Sequence, residues 1–379
     1  MTDLFDREAW ALAPDVLHLN HGSFGAVPHV VRSAQNRWRD AIDANPTGFL
    51  SRRLVAELDV VRNAAAAFLQ ADPNGLVLLP NVTWATATVL ASVSLEQDDE
   101  VLISDDTYRG VHAAAMDACA RTGARLIQAR LPAGDFSDGD AVTRAIERAL
   151  TPRTKLAIID HITSPTAALI DPTATVGRCH ANGTAVLIDG AHAPGMLAVD
   201  VGSYGADFYA GTFHKWCCAP LGSAFLAVAP EWRPTMRSAV PGSESEQGFP
   251  TGLEWWGTTD YSGLLATPTA LDLLRSAGVD RLRERNTTLV NAGAAMVSRA
   301  LEQEPIADSP ISMVTLELPS PMSTDAIGCR ALRGRIATEL AAEVLITMAR
   351  GRTVLRLSAQ AYNREDDYRQ LAAYLAALR

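Results

Sequence analysis

Disulfide pairs, long apolar runs and basic blocks are all missing from this chain. Five cysteines occur, Cys119, Cys179, Cys217, Cys218 and Cys329, an odd number with no Cys-x-x-Cys spacing. That argues against a disulfide framework and against a zinc site, so no metal is expected; it fits reduced thiols in the cytoplasm. The adjacent pair Cys217-Cys218 reads as small apolar packing. No apolar run reaches ~18 residues, so no transmembrane helix is expected. The first residues, Met1 to Asp6, show neither a basic nor an apolar stretch, so no signal peptide is expected and the location predicted is cytoplasmic. The net charge is −10 and the pI about 5.3, with no basic block, which makes nucleic acid an unsuitable partner. Internal repeats and low-complexity tracts are absent as well.

What is present is a chain of 379 residues, 48% hydrophobic, long enough for a large core and about two domains. Short apolar runs at Leu76–Leu79, Val101–Ser104, Leu126–Ala129, Leu156–Asp160, Val186–Asp189 and Phe208–Gly211 alternate with helix-length segments such as Ala141–Leu150 and Pro172–Ala181. This alternation predicts an α/β fold with a mostly parallel, doubly wound sheet. From Tyr261 onward the pattern predicts a smaller C-terminal α/β domain. It has long helices over Ser262–Ser276 and Val279–Leu301, strands at Met313–Leu316, Val344–Met348 and Val354–Leu357, a helix over Asp325–Leu340, and a closing helix from Arg364 to Leu378. The expected division is an N-terminal arm over 1–20 packing with the small domain, a large domain over 21–260 and the small domain over 261–379. Pro241–Pro250 reads as a loop.

In doubly wound sheets ligands bind beyond the C-terminal strand ends, so the polar residues just after the strands carry the chemistry. Val186-Leu187-Ile188-Asp189 is an apolar strand that delivers an acid, with His192 in the turn-rich loop behind it. Burying such an Asp is costly unless it is paired. The run Phe208-Tyr209-Ala210-Gly211 leads to Lys215, 26 residues after Asp189 (215 − 189). An Asp at one strand end and a Lys just past the next suit pyridoxal 5′-phosphate. The Lys forms an imine with its aldehyde, and the Asp keeps the pyridine nitrogen protonated. Desolvation lowers an amine's pKa, which favours that imine. Thr212 and His214 flank Lys215 and could donate to a phosphate. Asn81-Val82-Thr83 opens a helix after Leu76–Leu79, a place for an anion or merely a cap. Tyr108 could stack on a planar ring, and Thr163 or Ser164 could reach a ring hydroxyl. His161 reads as a packed histidine. Arg356 interrupts an apolar strand and demands a carboxylate, either a substrate's or an internal Asp or Glu. Asn20-His21-Gly22-Ser23-Phe24-Gly25 has glycines that let backbone approach a ligand.

Taken together, Leu19-Asn20-His21-Gly22-Ser23-Phe24-Gly25, Asn81-Val82-Thr83, His161-Ile162-Thr163-Ser164-Pro165-Thr166, Asp189-Gly190-Ala191-His192-Ala193-Pro194-Gly195 and Asp207-Phe208-Tyr209-Ala210-Gly211 resemble the class V aminotransferase family. The family belongs to the fold type I pyridoxal phosphate enzymes, and the resemblance is to its isopenicillin N epimerase-like branch. It spans Leu17 to Asn363. It implies a seven-stranded type of sheet and a homodimer with shared sites. Lys215, Asp189 and His192 are then catalytic. Val82, Thr83, Thr212 and His214 hold the phosphate, with Gly257 and Thr258 reaching it from the neighbouring subunit. Tyr108 stacks on the ring, and Ser164 and His192 lie near its oxygen. Arg356 takes the substrate carboxylate, with Asn20, Gly22 and Ser23 beside it. One position departs: the family usually has Gly before the His-Lys pair, and here Phe213 stands there.

Desulfurases of this class need a nucleophilic Cys shortly before the carboxylate-binding Arg, and Ala341–Gly351 contains none, so that activity is not expected. Two readings remain. One is processing of a cysteine S-conjugate in secondary metabolism, by C–S β-elimination or by decarboxylation coupled to oxidative deamination. The other is epimerisation at Cα. The departure at Phe213 tips the expectation toward the S-conjugate. A third class, a pyridoxal phosphate-binding regulator or an enzyme of other substrates, would lack a use for Arg356, and no DNA-binding extension is visible.

Overall fold

The computed structural model describes residues 3–132, 136–304, 306–320, 322 and 324–378. Its strands, in chain order, are β1 (Leu17–His18), β2 (Leu76–Leu79), β3 (Glu100–Ser104), β4 (Arg125–Ala129), β5 (Thr154–Asp160), β6 (Ala185–Gly190), β7 (Phe208–Thr212), β8 (Ala224–Val228), β9 (Met313–Glu317), β10 (Ala342–Glu343), β11 (Leu345–Ala349) and β12 (Arg352–Ser358). The main sheet has the order β2-β8-β7-β6-β5-β3-β4. Strands β3 to β7 run parallel to one another, while β8 is antiparallel to both β7 and β2. The expected mostly parallel sheet is therefore present, with seven strands. The apolar run Ala224–Val228 was not among the expected strands; it follows β7 after the loop 213–223, which carries Lys215, and reverses direction.

The central strands are buried on both faces, so they read as continuous apolar runs. Two cores flank the sheet. One gathers Leu102, Ala157, Ile159, Val186, Ile188 and Phe225; the other gathers Val101, Ile103, Ile158, Leu187, Phe208 and Leu226. Alternating residues of one strand serve opposite faces.

The C-terminal sheet has the order β11-β12-β9, all antiparallel. It packs under the helices Val279–Ala300 and Glu365–Leu378, around Val290, Leu316, Leu355, Tyr368 and Leu371. Leu17 and Leu19 join this core, and β1 pairs with β10 in parallel. The single helix expected over Ser262–Ser276 is instead two, Ser262–Leu265 and Thr267–Ala277. Pro268 explains the break: it lacks the N–H that a continuous helix would need, and it is accommodated in the first turn of a new one. Leu264 and Leu265 pack on Phe49, Leu54 and Leu58, and Leu271 and Leu274 pack in the core that holds Ala65 and Leu69. No helix among the described residues is long and apolar enough to cross a membrane.

One buried ion pair ties the edge strand β2 to its cover. Arg62, on the helix Leu54–Leu69, donates to Glu254 at 2.6 Å, and the other Glu254 oxygen accepts the Leu78 amide at 2.8 Å. Both side chains are buried. Replacing Arg62 with Met would leave the Glu254 carboxylate buried and unpaired, a cost of about 3–5 kcal/mol. Equilibrium denaturation is expected to show this loss as a lower midpoint with an unchanged slope.

Candidate active site

The strand order reverses between β5 and β3, and a cavity of about 740 Å³ opens beyond the C-terminal strand ends at this switch point. Tyr108 comes from the loop after β3, Asp160 and Ser164 from the end of β5 and the loop beyond, Asp189, Ala191 and His192 from β6, and Thr212, His214 and Lys215 from β7. Asn81, Val82 and Thr83 enter from the start of the helix Val82–Ser92. Asn20, Gly22 and Ser23 close the far wall. Topology thus brings the expected residues together. Gly257 and Thr258 do not line this cavity within one chain. Arg356 is wholly buried just behind the wall, against Asn20, Ser23 and Ser164.

Lys215 is the centre of the site. Burial pulls its amine from the usual lysine range down to about 8, against the smaller opposing pull of Asp189. Its Nζ lies 3.3 Å from His192 Nε2. The Trp216 indole nitrogen, which can only donate, lies 3.4 Å from His192 Nδ1. Nδ1 therefore accepts and the ring proton sits on Nε2, directed at the amine. Burial holds the imidazole well below its ordinary pKa, and the nearby Lys215 and Arg356 push the same way. Lys155 and Lys215 are the only lysines in the chain, and Lys155 is largely exposed. That scarcity is a sequence signal for Lys215 that motif reading passed over.

Asp189 is buried, and desolvation raises its pKa. Only its Oδ1 is engaged, by the Ala191 amide at 3.0 Å. Asp160 stands beside it in register on β5 and is pushed up well above the carboxylate range by burial and by Asp189. Asp160 was not among the expected site residues; its place at the end of an apolar strand, like that of Asp189, was the available signal. The Thr212 hydroxyl donates to the Ala191 carbonyl at 2.9 Å. His214 Nδ1 lies 2.9 Å from the Ser223 carbonyl, and burial lowers this histidine to about 4. Asn81 caps its helix by accepting from the Trp84 amide at 2.9 Å, so the Val82 and Thr83 amides of the first turn are left for a ligand. Tyr108 is half exposed, and its ring lies beside Thr83.

Arg356 settles one alternative left by the sequence. No Asp or Glu pairs with it among the described residues. Its guanidinium donates to the Ser164 carbonyl, to Asn20 Oδ1 at 3.2 Å and to Ser23 Oγ at 3.1 Å, while its Nε has no partner. Desolvation lowers it to about 10. Phe213 is a correction of another kind. Its side chain is wholly buried against Phe225, with ring centroids 5.1 Å apart, and does not reach the cavity. It cannot shape a substrate pocket. His161 is packed as expected, 2.8 Å from the Tyr209 hydroxyl. Cys217 and Cys218 are buried, and desolvation raises both thiols.

The family model for aminotransferase class-V matches residues 25–371, and the chain belongs to that family. It is 33% identical to an isopenicillin N epimerase of Streptomyces clavuligerus, over 98% of this chain and 97% of that protein. It is 30% identical to a putative L-cysteine desulfhydrase of Oryza sativa subsp. japonica, over 96% of this chain and 84% of that one. Among solved structures it resembles the cystine C–S lyase C-DES with its product cysteine persulfide, at a TM-score of 0.82 and 22% identity, over 96% of this chain and 98% of that one. The fold is the fold type I pyridoxal phosphate architecture, and pyridoxal 5′-phosphate is the cofactor.

The donor set fits that molecule. A half-engaged buried acid faces the cavity, as a protonated ring nitrogen requires, and a helix start with free amides stands where an anion can sit. A buried amine of lowered pKa completes the set. A neutral amine attacks an aldehyde, and its neutral fraction rises as pH passes through the pKa. In cofactor-free protein labelled with ¹³C-lysine, the two lysines give two signals, and the Lys215 signal is expected to titrate near 8, below an ordinary lysine. Rates of cofactor capture should rise with pH and level off above that point.

Proposed function

We propose that this protein is a pyridoxal 5′-phosphate enzyme that removes the Cα proton of a sulfur-bearing α-amino acid and cleaves its C–S bond. The observation that carries the amino-acid reading is Arg356, a buried guanidinium whose only internal partners are neutral oxygens. A substrate carboxylate supplies the missing anion, and a charge-assisted bidentate pair is the strongest hydrogen bond available to it.

Asp189 would pair with the ring nitrogen of the cofactor, and Tyr108 would stack on its ring. Val82 and Thr83 would hold its phosphate, with Thr212 and His214. Ser164 and His192 would serve its hydroxyl. Gly257 and Thr258, which lie outside the cavity of one chain, reach the phosphate of a second copy in a homodimer with shared sites. When bound, the cofactor supplies an electron sink for the pair left at Cα. Arg356 fixes the carboxylate, and so decides which Cα substituent points toward Lys215. The Lys215 amine, whose lowered pKa gives it a larger neutral fraction near neutral pH than an ordinary lysine has, takes the proton from Cα. The Cβ–S bond breaks, its electron pair leaves with sulfur, and a proton from the site or solvent completes the thiol. With one water the remaining atoms depart as pyruvate and ammonia.

Elimination needs one base, and Lys215 is the only amine lining the cavity, with the His192 imidazole 3.3 Å from it. Epimerisation needs a proton delivered to both faces of Cα. The identity of 33% to an isopenicillin N epimerase favours it as the second reading. The desulfurase activity is not part of this proposal. All five cysteines are buried, and desolvation raises the thiols, so none is poised as a nucleophile.

Incubation with cysteine S-conjugates should release thiol and pyruvate in equal amounts. Cα deuterium exchange without release would select epimerisation, and neither outcome with any α-amino acid would sink both. Replacing Arg356 with Met is expected to lower kcat/KM by about 30-fold to several thousand-fold, from the ~2–5 kcal/mol lost with a buried charge pair. The same change removes an unpaired buried cation, so stability of the cofactor-free protein should fall by no more than about 1 kcal/mol or should rise.

A further inference from the structure

His21 lies outside the cavity lining, yet it is wholly buried directly behind Lys215. Its Nε2 is 3.1 Å from the Lys215 carbonyl oxygen, which can only accept. Its Nδ1 is 3.1 Å from the Tyr362 hydroxyl and 3.4 Å from the Ala26 amide, and an amide can only donate. The two sides therefore agree on one tautomer, with the proton on Nε2 and a bare Nδ1. Gln360 approaches the same protonated nitrogen, with its Nε2 3.3 Å from His21 Nε2. Its Oε1 accepts from Asn286 Nδ2 at 2.9 Å and from the Ala361 amide at 2.8 Å, so its orientation is fixed. Its Nε2 is then free to donate to Cys218 Sγ at 3.6 Å rather than to the protonated His21 nitrogen. A second proton on His21 would face the Ala26 N–H, and burial pulls the imidazole down to about 3.

The same short segment grips the site at two more places. A Cβ on Gly25 would lie 2.5 Å from the Lys215 carbonyl oxygen, and a Cβ on Gly22 would lie 2.6 Å from Met313 Sδ and 3.2 Å from Arg356 Nη2. Asn20 and Ser23 accept from Arg356. Residues 20–25 therefore touch both the amine-bearing backbone and the carboxylate clamp.

We propose that His21 is a positioning residue: a donor that fixes the Lys215 backbone and, through the 20–25 segment, sets the placement of the Lys215 amine relative to Arg356. The proposal rests on the reading of Lys215 as the cofactor-bearing amine. Without the Nε2–H bond, the Lys215 carbonyl keeps the Cys218 amide at 3.0 Å but loses its tie to the C-terminal region through His21 and Tyr362. The amine then moves away from His192 and Asp189 and toward the open cavity, where it is better solvated.

The test uses ¹³C-lysine-labelled, cofactor-free protein, with the second signal assigned by Lys155→Arg. His21→Gln keeps a side-chain N–H at the reach of Nε2, and His21→Met has the same length without a donor. The Met variant is expected to move the Lys215 titration upward by about one unit or more, toward an ordinary lysine, and to slow capture of pyridoxal phosphate about tenfold. The Gln variant should return both toward the parent values. An unmoved Lys215 titration in a His21→Met protein that melts within a few degrees of the parent overturns the proposal. A ¹⁵N-histidine spectrum of the unmutated protein needs no variant. It should show the Nε2–H tautomer for His21 from about pH 5 to 9, and an imidazolium or an Nδ1–H tautomer there overturns the proposal equally. If borohydride fails to fix the cofactor on Lys215, the cofactor reading of that lysine falls, while the lysine titration still tests His21.

Discussion

Two buried cations without enough anions around them govern this structure. Arg356 is enclosed with only neutral oxygens as partners, and Lys215 is enclosed beside acids that are themselves raised by burial. Desolvating a charge is costly, and the protein meets that cost only in part. The site is electrostatically incomplete, and on the proposed reading a carboxylate and a phosphate make up what is missing. Stability is given up here in the region where binding recovers it.

Everything that surrounds this pair serves to hold it. The doubly wound sheet brings three strand ends to one edge, so that Asp160, Asp189 and the chain leading to Lys215 stand side by side although far apart in sequence. The reversal of strand order opens the cleft, and the Asn81-capped helix gives the cleft an anion-binding floor. The C-terminal sheet brings Arg356 up from the other side on β12. The segment 20–25 is wedged between the two, close enough to the Lys215 backbone that glycine is required at Gly25.

This arrangement bears on the choice of reaction in an unexpected way. Phe213 departs from the family pattern, but its ring is in the core and its position says nothing about the substrate side chain. The argument for C–S cleavage rests instead on the single amine in the cavity and on the absence of a poised thiol. On the proposed reading both candidate reactions begin alike, with a carboxylate on Arg356 and a proton leaving Cα for Lys215; elimination then expels sulfur, whereas epimerisation returns a proton to Cα.

Much of the fold was legible from the sequence, because buried parallel strands are short apolar runs with polar ends and the helices between them carry their own caps. The strand β8 was not, since an apolar run of five residues does not reveal its direction. The break at Pro268 was missed because periodicity alone spans it. Of the site, the sequence by itself determined the chemistry available: an acid and a lysine at successive strand ends, a capped helix start, an arginine in an apolar strand. Only the tertiary structure decided which of these are neutral, which are paired and which are left without a partner. Those properties depend on burial and on contacts between residues such as His21 and Lys215, 194 positions apart, and no local pattern encodes them.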